Sequence, residues 1–234
     1  MASRKEQKEA LRRERQERER QAHEQQRRKR LVGLAVAGAL ASVAVIVLVV
    51  LLLSGGGDGP SAKVLPDGGE VPAAKITDPK RAADAAGCRL TSERARSRDH
   101  SQDPDERIRY RTNPPTDGKH YEVPTEDGAY DRAPPDSSLV HTLEHGRIAI
   151  WFKPTLPKSA RAALKGFFDE DSYQIVLTPR REMPYDVAAS AWGRDPDPLG
   201  TGFLLACPRY NEKVFDALRT FRDEHRSNGP EPVP

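Results

Sequence analysis

Cysteine is scarce in this chain of 234 residues, which has only Cys88 and Cys207. Neither has a second cysteine nearby, which argues against a thiolate metal site. Long apolar runs are equally scarce, because only residues 31–53 are almost wholly apolar over a length that could cross a membrane. No internal repeat is present. The charged residues at 3–30 have no apolar heptad seam, so a coiled coil is not expected there.

The one long apolar run is preceded directly by four basic residues, at positions 27–30. As a helix, residues 31–53 would reach about 34 Å, enough to cross a hydrocarbon core of about 30 Å. Residues 1–30 carry twelve Lys/Arg against six Glu, whereas residues 54–234 carry 26 basic and 29 acidic residues. A basic flank predicts that this end stays in the cytoplasm. A cleaved signal peptide is the alternative, but the apolar stretch is about twice the usual length.

These patterns predict a single-pass membrane protein whose C-terminal part is extracytoplasmic. Glycine and proline after the apolar run are typical of a linker. The bilayer is the predicted partner, a cell-envelope protein is a further one, and no nucleic acid is expected. The predicted segments are a cytoplasmic basic tail at 1–30, a transmembrane helix at 31–53, a flexible linker at 54–79, a globular domain at 80–226 and a disordered C-terminus at 227–234.

The two cysteines both lie in the part predicted to be exported. In an oxidising compartment an even pair is most simply a disulfide, so we expect Cys88 to bond to Cys207. The competing interpretation is a pair of thiolate metal ligands. In a cytosolic domain the two thiols would more often be reduced, so this prediction depends on the topology.

Hydrophobic patterns in the globular region predict a mixture of strands and helices. Residues 147–152 and 174–178 have the composition of buried strands, and residues 187–192 and 203–206 are weaker candidates. Ser159 is the expected N-cap of one amphipathic helix, and Asn211 is the expected cap of the last one. The order predicts a small α+β domain of the α/β sandwich kind.

Four of the six histidines fall in one window of 46 residues. If a short helix runs from Ser137 to His145, the spacing of His141 and His145 places both imidazoles on one face, where they could share a metal. Zinc and copper both accept neutral imidazole. Glu144 could bind the metal directly or orient an imidazole. The candidate metal ligands are His100, His120, His141, His145 and Glu144.

Two other interpretations of this window stay open. The string His-x-x-Glu-His is also a metallopeptidase signature, in which the glutamate acts as general base, and Glu212 or Glu224 could then supply a distant carboxylate. Alternatively, the histidines pack at a helix end and Glu144 pairs with Arg147 on the surface. No catalytic residue is assigned.

Three stretches carry a family resemblance: residues 113–121, residues 140–154 and Ala191-Trp192-Gly193. They resemble a bacterial family of membrane-anchored proteins catalogued as domain-of-unknown-function family 3105. Its members typically have Pro-Pro-Thr-Ser-Gly-Pro-His where this chain has Asp117 and Lys119. The resemblance covers residues 80–225 and implies that His120, His141 and His145 belong to one shared domain, with no activity attached.

The leading functional hypothesis is an extracytoplasmic domain that binds a transition metal, zinc or copper, or a small ligand through this histidine cluster. The alternative is a metal-free interaction module of the cell envelope. A metal-dependent hydrolase is third, so enzymatic activity is not the first expectation.

Overall fold

In the computed structural model, residues 64–231 are described, and they form a mixed α+β domain. The helices are α1 Pro79–Ala86, α2 Asp136–Glu144, α3 Lys158–Glu170 and α4 Val214–His225. The strands are β1 Arg89–Arg94, β2 His100–Ser101, β3 His120–Tyr121, β4 Gly128–Ala129, β5 Ile148–Phe152, β6 Ile175–Pro179, β7 Val187–Gly193 and β8 Thr201–Cys207.

The centre of the domain is a six-stranded sheet in the order β1-β8-β7-β5-β6-β4. Strands β1, β8, β7 and β5 pair antiparallel, whereas β6 is parallel to both β5 and β4. The β5–β6 connection carries α3, as a crossover between parallel strands requires. A separate parallel pair, β2 and β3, aligns His100 with His120.

Apolar side chains cover both faces of the sheet. On one face, Ile148, Ile150 and Phe152 pack with residues of α1, α3 and α4. On the other, Ala149 and Trp151 pack with residues of α2. Because both faces are covered, every residue of β5 is buried, and its sequence is continuously apolar rather than alternating.

The predicted disulfide is confirmed, with a Cys88–Cys207 S–S distance of 2.03 Å. It joins the residue before β1 to the last residue of β8, and Arg89 pairs with Ala206 in the adjacent position of that ladder. The bond therefore closes the pair of strands at one edge of the sheet.

The ends of the described region differ from the segments expected from sequence. Leu65, in the predicted linker, is buried, and Gly69 packs so closely on Ala162 of α3 that a side chain would collide with its backbone. Residues 227–231, in the expected disordered end, return to the C-terminus of α2, where Ser227 N–H donates to the Gly146 carbonyl at 2.8 Å. Backbone hydrogen bonds hold residues 227–231 in this position, and such bonds cannot be recognised from composition.

No helix between residues 64 and 231 combines the length and apolar character needed to cross a bilayer. The tail at 1–30 and the apolar run at 31–53 lie outside the described residues. The transmembrane assignment therefore stays a prediction.

Helix caps differ from the predicted ones. Helix α3 begins at Lys158 after Pro157, so Ser159 lies inside the helix rather than at its N-cap. Helix α4 begins at Val214, and the Asn211 side chain accepts the Lys213 backbone N–H at 3.0 Å in the turn just before it. Asn211 thus supports the approach to the helix from outside it.

Candidate metal centre

The residues of the histidine-rich window come together where the strand pair β2–β3 lies against helix α2. His100 and His120 stand opposite each other on the parallel pair β2–β3. His141 and Glu144 are three residues apart on α2, so their side chains share one helix face. One ligand atom from each of these four residues lies within 4.8 Å of the others.

Three separations within the cluster join Nε2 of His120, Nε2 of His100 and Oε2 of Glu144. The two imidazole nitrogens are 3.1 Å apart. Oε2 of Glu144 lies 3.0 Å from His120 Nε2 and 3.6 Å from His100 Nε2. Tetrahedral zinc with bonds of about 2.0–2.2 Å separates its ligand atoms by about 3.3–3.6 Å. One of the three separations lies in this range and the other two are slightly shorter, so the atoms are close to the spacing of one face of such a site.

Hydrogen bonds to the backbone determine how two of the imidazoles point. His120 Nδ1 lies 2.8 Å from the Gly118 carbonyl, and His141 Nδ1 lies 2.8 Å from the Tyr121 carbonyl. A carbonyl only accepts, so each Nδ1 carries the proton and donates it. In the neutral rings this puts the lone pair on Nε2, which is the arrangement that orients metal-binding histidines.

The loop before His120 is held by its own charges. Asp117 accepts from Arg111 at 2.9 Å, and the Lys119 ammonium lies 2.7 Å from Glu106. Asp117 and Lys119 are the positions at which the chain departs from the usual family pattern, so the ion pairs show how charged residues fit this loop. Gly118 between them has φ +120°, which favours glycine.

Glu144 is fully buried, and its two oxygens have different surroundings. Oε1 accepts from Arg98 Nε at 2.5 Å. Among the described residues, Oε2 has no hydrogen-bond donor. Burial by itself raises the pKa of Glu144, but the hydrogen bonds and charges of a protonated His120 and of Arg98 outweigh burial and lower that pKa to about 2. The side chain is therefore a carboxylate with one oxygen available to a cation.

The protonation of His141 also suits a metal ligand. Its imidazole is buried, and burial together with the neighbouring His120 lowers its pKa to about 4. At neutral pH the ring is therefore uncharged. The His100 side chain is 39% exposed, so solvent reaches the cluster from that side.

His145 is not one of the four residues whose ligand atoms converge, although its ring packs against that of His141 at a centroid distance of 4.5 Å. It follows the last residue of α2, and its ligand atom groups with Glu144 and Glu231 instead. Arg98 occupies that side of Glu144 and lies 3.4 Å from Glu231. Because the Arg98 guanidinium already contacts both carboxylates, this second group is a poorer site for a cation.

The structure also bears on the other sequence-based interpretations. Arg147 pairs with Asp127 at 2.7 Å, so the surface pair of Glu144 with Arg147 is absent among the described contacts. Within residues 64–231, neither Glu212 nor Glu224 belongs to a group of possible metal ligands. Glu144 itself is one of the four residues whose ligand atoms converge.

Sequence reasoning missed Arg98, the partner that orients Glu144. No motif identifies it, because it is one of several arginines in a turn-rich stretch 46 residues before Glu144. Only the packing of this stretch against α2 separates Arg98 from its neighbours.

With the geometry described, comparison with known proteins gives one match. The model of a family described as "Protein of unknown function (DUF3105)" matches residues 101–232, which include His120, His141 and Glu144 and begin one residue after His100. No curated protein and no solved structure matches the chain.

Proposed function

The chain belongs to the DUF3105 family of proteins of unknown function, and we propose that it binds one transition-metal ion, zinc or copper. The proposed ligands are Nε2 of His100, His120 and His141 and Oε2 of Glu144. Three imidazoles and one carboxylate form a donor set that both metals accept.

The observation that carries the proposal is the unpartnered oxygen of Glu144. A buried carboxylate oxygen without a donor is costly, because water has been removed and nothing replaces its hydrogen bond. Here that oxygen lies 3.0 Å from a fully buried imidazole nitrogen, Nε2 of His120, which carries a lone pair when the ring is neutral and Nδ1 holds the proton. Two lone pairs at this distance repel unless a cation lies between them.

A proton on His120 is the competing way to satisfy this contact. It would pair His120 with Glu144 but would leave the His141 lone pair without any role. A metal ion satisfies all four donors at once, and the hydrogen bonds at the two Nδ1 atoms already orient the rings for it. The convergence of four donors therefore favours the metal.

We propose further that this site lies outside the cytoplasm, on a domain anchored by residues 31–53. The Cys88–Cys207 disulfide supports an oxidising compartment. The basic residues before the apolar run support an N-terminus in the cytoplasm. A reporter fused to the C-terminus tests the topology, and activity of a cytoplasm-only reporter would contradict it.

Elemental analysis of the purified full-length chain tests the metal proposal. We expect about one zinc or copper per chain, lost in His141→Ala and in Glu144→Gln. His23→Ala is the matched control, since it removes a histidine from the predicted tail. A wild-type chain that contains no metal and does not bind added Zn²⁺ or Cu²⁺ would overturn the proposal.

A further inference from the structure

One edge of the six-stranded sheet is open to a further strand. Strand β1 forms this edge, and no other strand of the described region pairs with its outer side. All six residues of β1 are exposed, although β1 pairs with β8 along its whole length. Leu90, 40% exposed, is one of three large hydrophobic side chains exposed in residues 64–231. Such an edge is a template for pairing with another chain.

The backbone groups that face outward follow from the hydrogen bonds to β8. Ala95, one residue beyond β1, donates its N–H to the Gly200 carbonyl at 3.0 Å. At the other end, Cys88 and Cys207 have a Cα–Cα distance of 4.1 Å, which fits a non-hydrogen-bonded pair. Residues that bond to β8 and residues that face away from it alternate along an antiparallel strand, and both ends of β1 fit the same alternation. The residues whose backbone groups face outward are therefore Leu90, Ser92 and Arg94.

The ends of this outer edge are already occupied. The Arg94 carbonyl accepts from Arg111 Nη2 at 2.9 Å. The Cys88 N–H donates to the Ala83 carbonyl at 2.9 Å. The outward groups that have no partner among the described residues are the N–H and C=O of Leu90 and of Ser92.

We propose that β1 pairs antiparallel with β1 of a second copy of this chain, with Leu90 opposite Ser92 of the copy. By two-fold symmetry Ser92 then faces Leu90, and the two pairs exchange four backbone hydrogen bonds. A shift of the register by two residues places Ser92 opposite Cys88, or Leu90 opposite Arg94. The Cys88 N–H and the Arg94 carbonyl already have hydrogen-bond partners in their own chain. Only the alignment of Leu90 with Ser92 therefore pairs all the backbone groups that lack a partner.

Side-chain charges select the same register. On the other face of β1, it places Arg89 opposite Glu93 of the second copy, and the symmetry repeats this pair. Glu93 also contacts Arg111 of its own chain at 2.8 Å, so Arg89 of the copy would be its second cationic neighbour. The register also places Thr91 opposite Thr91, and opposite charges and threonine pairs both stabilise antiparallel strands. The charged residues of this edge therefore complement a second copy of the same strand.

Cysteine crosslinking in the full-length chain tests the register directly. The side chains of a non-hydrogen-bonded pair are close enough for a disulfide, so Thr91→Cys should give an oxidised dimer. Ser92→Cys is the matched control, because it carries the same added thiol on the adjacent residue but faces Leu90. Dimers of both variants in equal amount, or of neither, would overturn the proposal.

A charge exchange provides the second measurement, by sedimentation of the full-length chain. Arg89→Glu should weaken dimerisation by about 2- to 30-fold, because two ion pairs are lost. The double variant Arg89→Glu/Glu93→Arg should regain affinity relative to that single variant. A wild-type chain that stays monomeric at every concentration would refute the pairing, as would a double variant weaker than Arg89→Glu.

Discussion

His225 gives the domain a specific sensitivity to acid. Its ring is buried in α4, stacked on Phe203 at a centroid distance of 4.3 Å and packed edge-on against Phe221 at 4.6 Å. Burial lowers the pKa of His225 from 6.5 to about 4. Above pH 6.5 the ring is neutral in both the folded and the unfolded chain, so it adds no pH dependence there. Below that value the unfolded chain takes up a proton first, and folding loses stability until the pH nears 4.

The size of this effect follows from the two pKa values. Between pH 7 and pH 5, protonation of the unfolded state alone lowers the free energy of unfolding by about 2 kcal/mol. His225→Phe keeps an aromatic ring in the core and removes the proton site. The variant should therefore lose about 2 kcal/mol less than the wild type over this pH interval.

Urea denaturation of both chains at pH 7 and pH 5 measures the difference. Other histidines titrate in both chains, and their contribution cancels in the comparison. His23→Phe is the control, because a histidine in the predicted tail should leave the pH dependence unchanged. Equal losses of stability in the wild type and in His225→Phe would refute the reasoning.

Three further predictions concern the disulfide and the metal centre. Replacing Cys88 and Cys207 by alanine opens a loop with a sequence separation of 119, so the free energy of unfolding should fall by about 5 kcal/mol in urea denaturation; a loss below about 1 kcal/mol would contradict the loop-entropy argument. His145→Ala should keep the metal that His141→Ala loses, as measured by elemental analysis, and equal loss in both variants would place His145 among the ligands. Arg98→Ala should weaken metal binding by about 10- to 100-fold in a chelator competition, because Glu144 loses the partner that orients it; unchanged affinity would show that Arg98 does not act on the site.

The central strands could be predicted from sequence because a continuous run of apolar residues indicates a buried strand. The expected strand at 147–152 corresponds to β5, and the weaker candidates at 187–192 and 203–206 lie within β7 and β8. Strand β1 was missed because an edge strand exposed on both faces carries no apolar pattern. Its pairing with β8, reinforced by the disulfide, is what makes it a strand.

Helix α1 was also missed, although local signals for it were present. Asp78 caps it by accepting the Arg81 N–H, Pro79 begins it, and Gly87 ends it in a left-handed conformation. These are recognised signals of helix ends. Residues 80–86 were expected to lie in the globular domain, but no helix was predicted for them; the packing of α1 on α4 decides the outcome.

The sequence by itself determined the chemical groups available to this protein: one cysteine pair, one long apolar run, and four histidines with a glutamate in a short window. Local composition and spacing are sufficient for such inferences. Only the tertiary structure decided which of these groups meet. Parallel pairing of β2 with β3 places His100 beside His120. The ligand atom of His145, just after α2, groups with Glu231 rather than with the other histidines, and Arg98 reaches Glu144 across 46 residues. Contacts between distant segments depend on the packing of the whole chain, which no local pattern encodes.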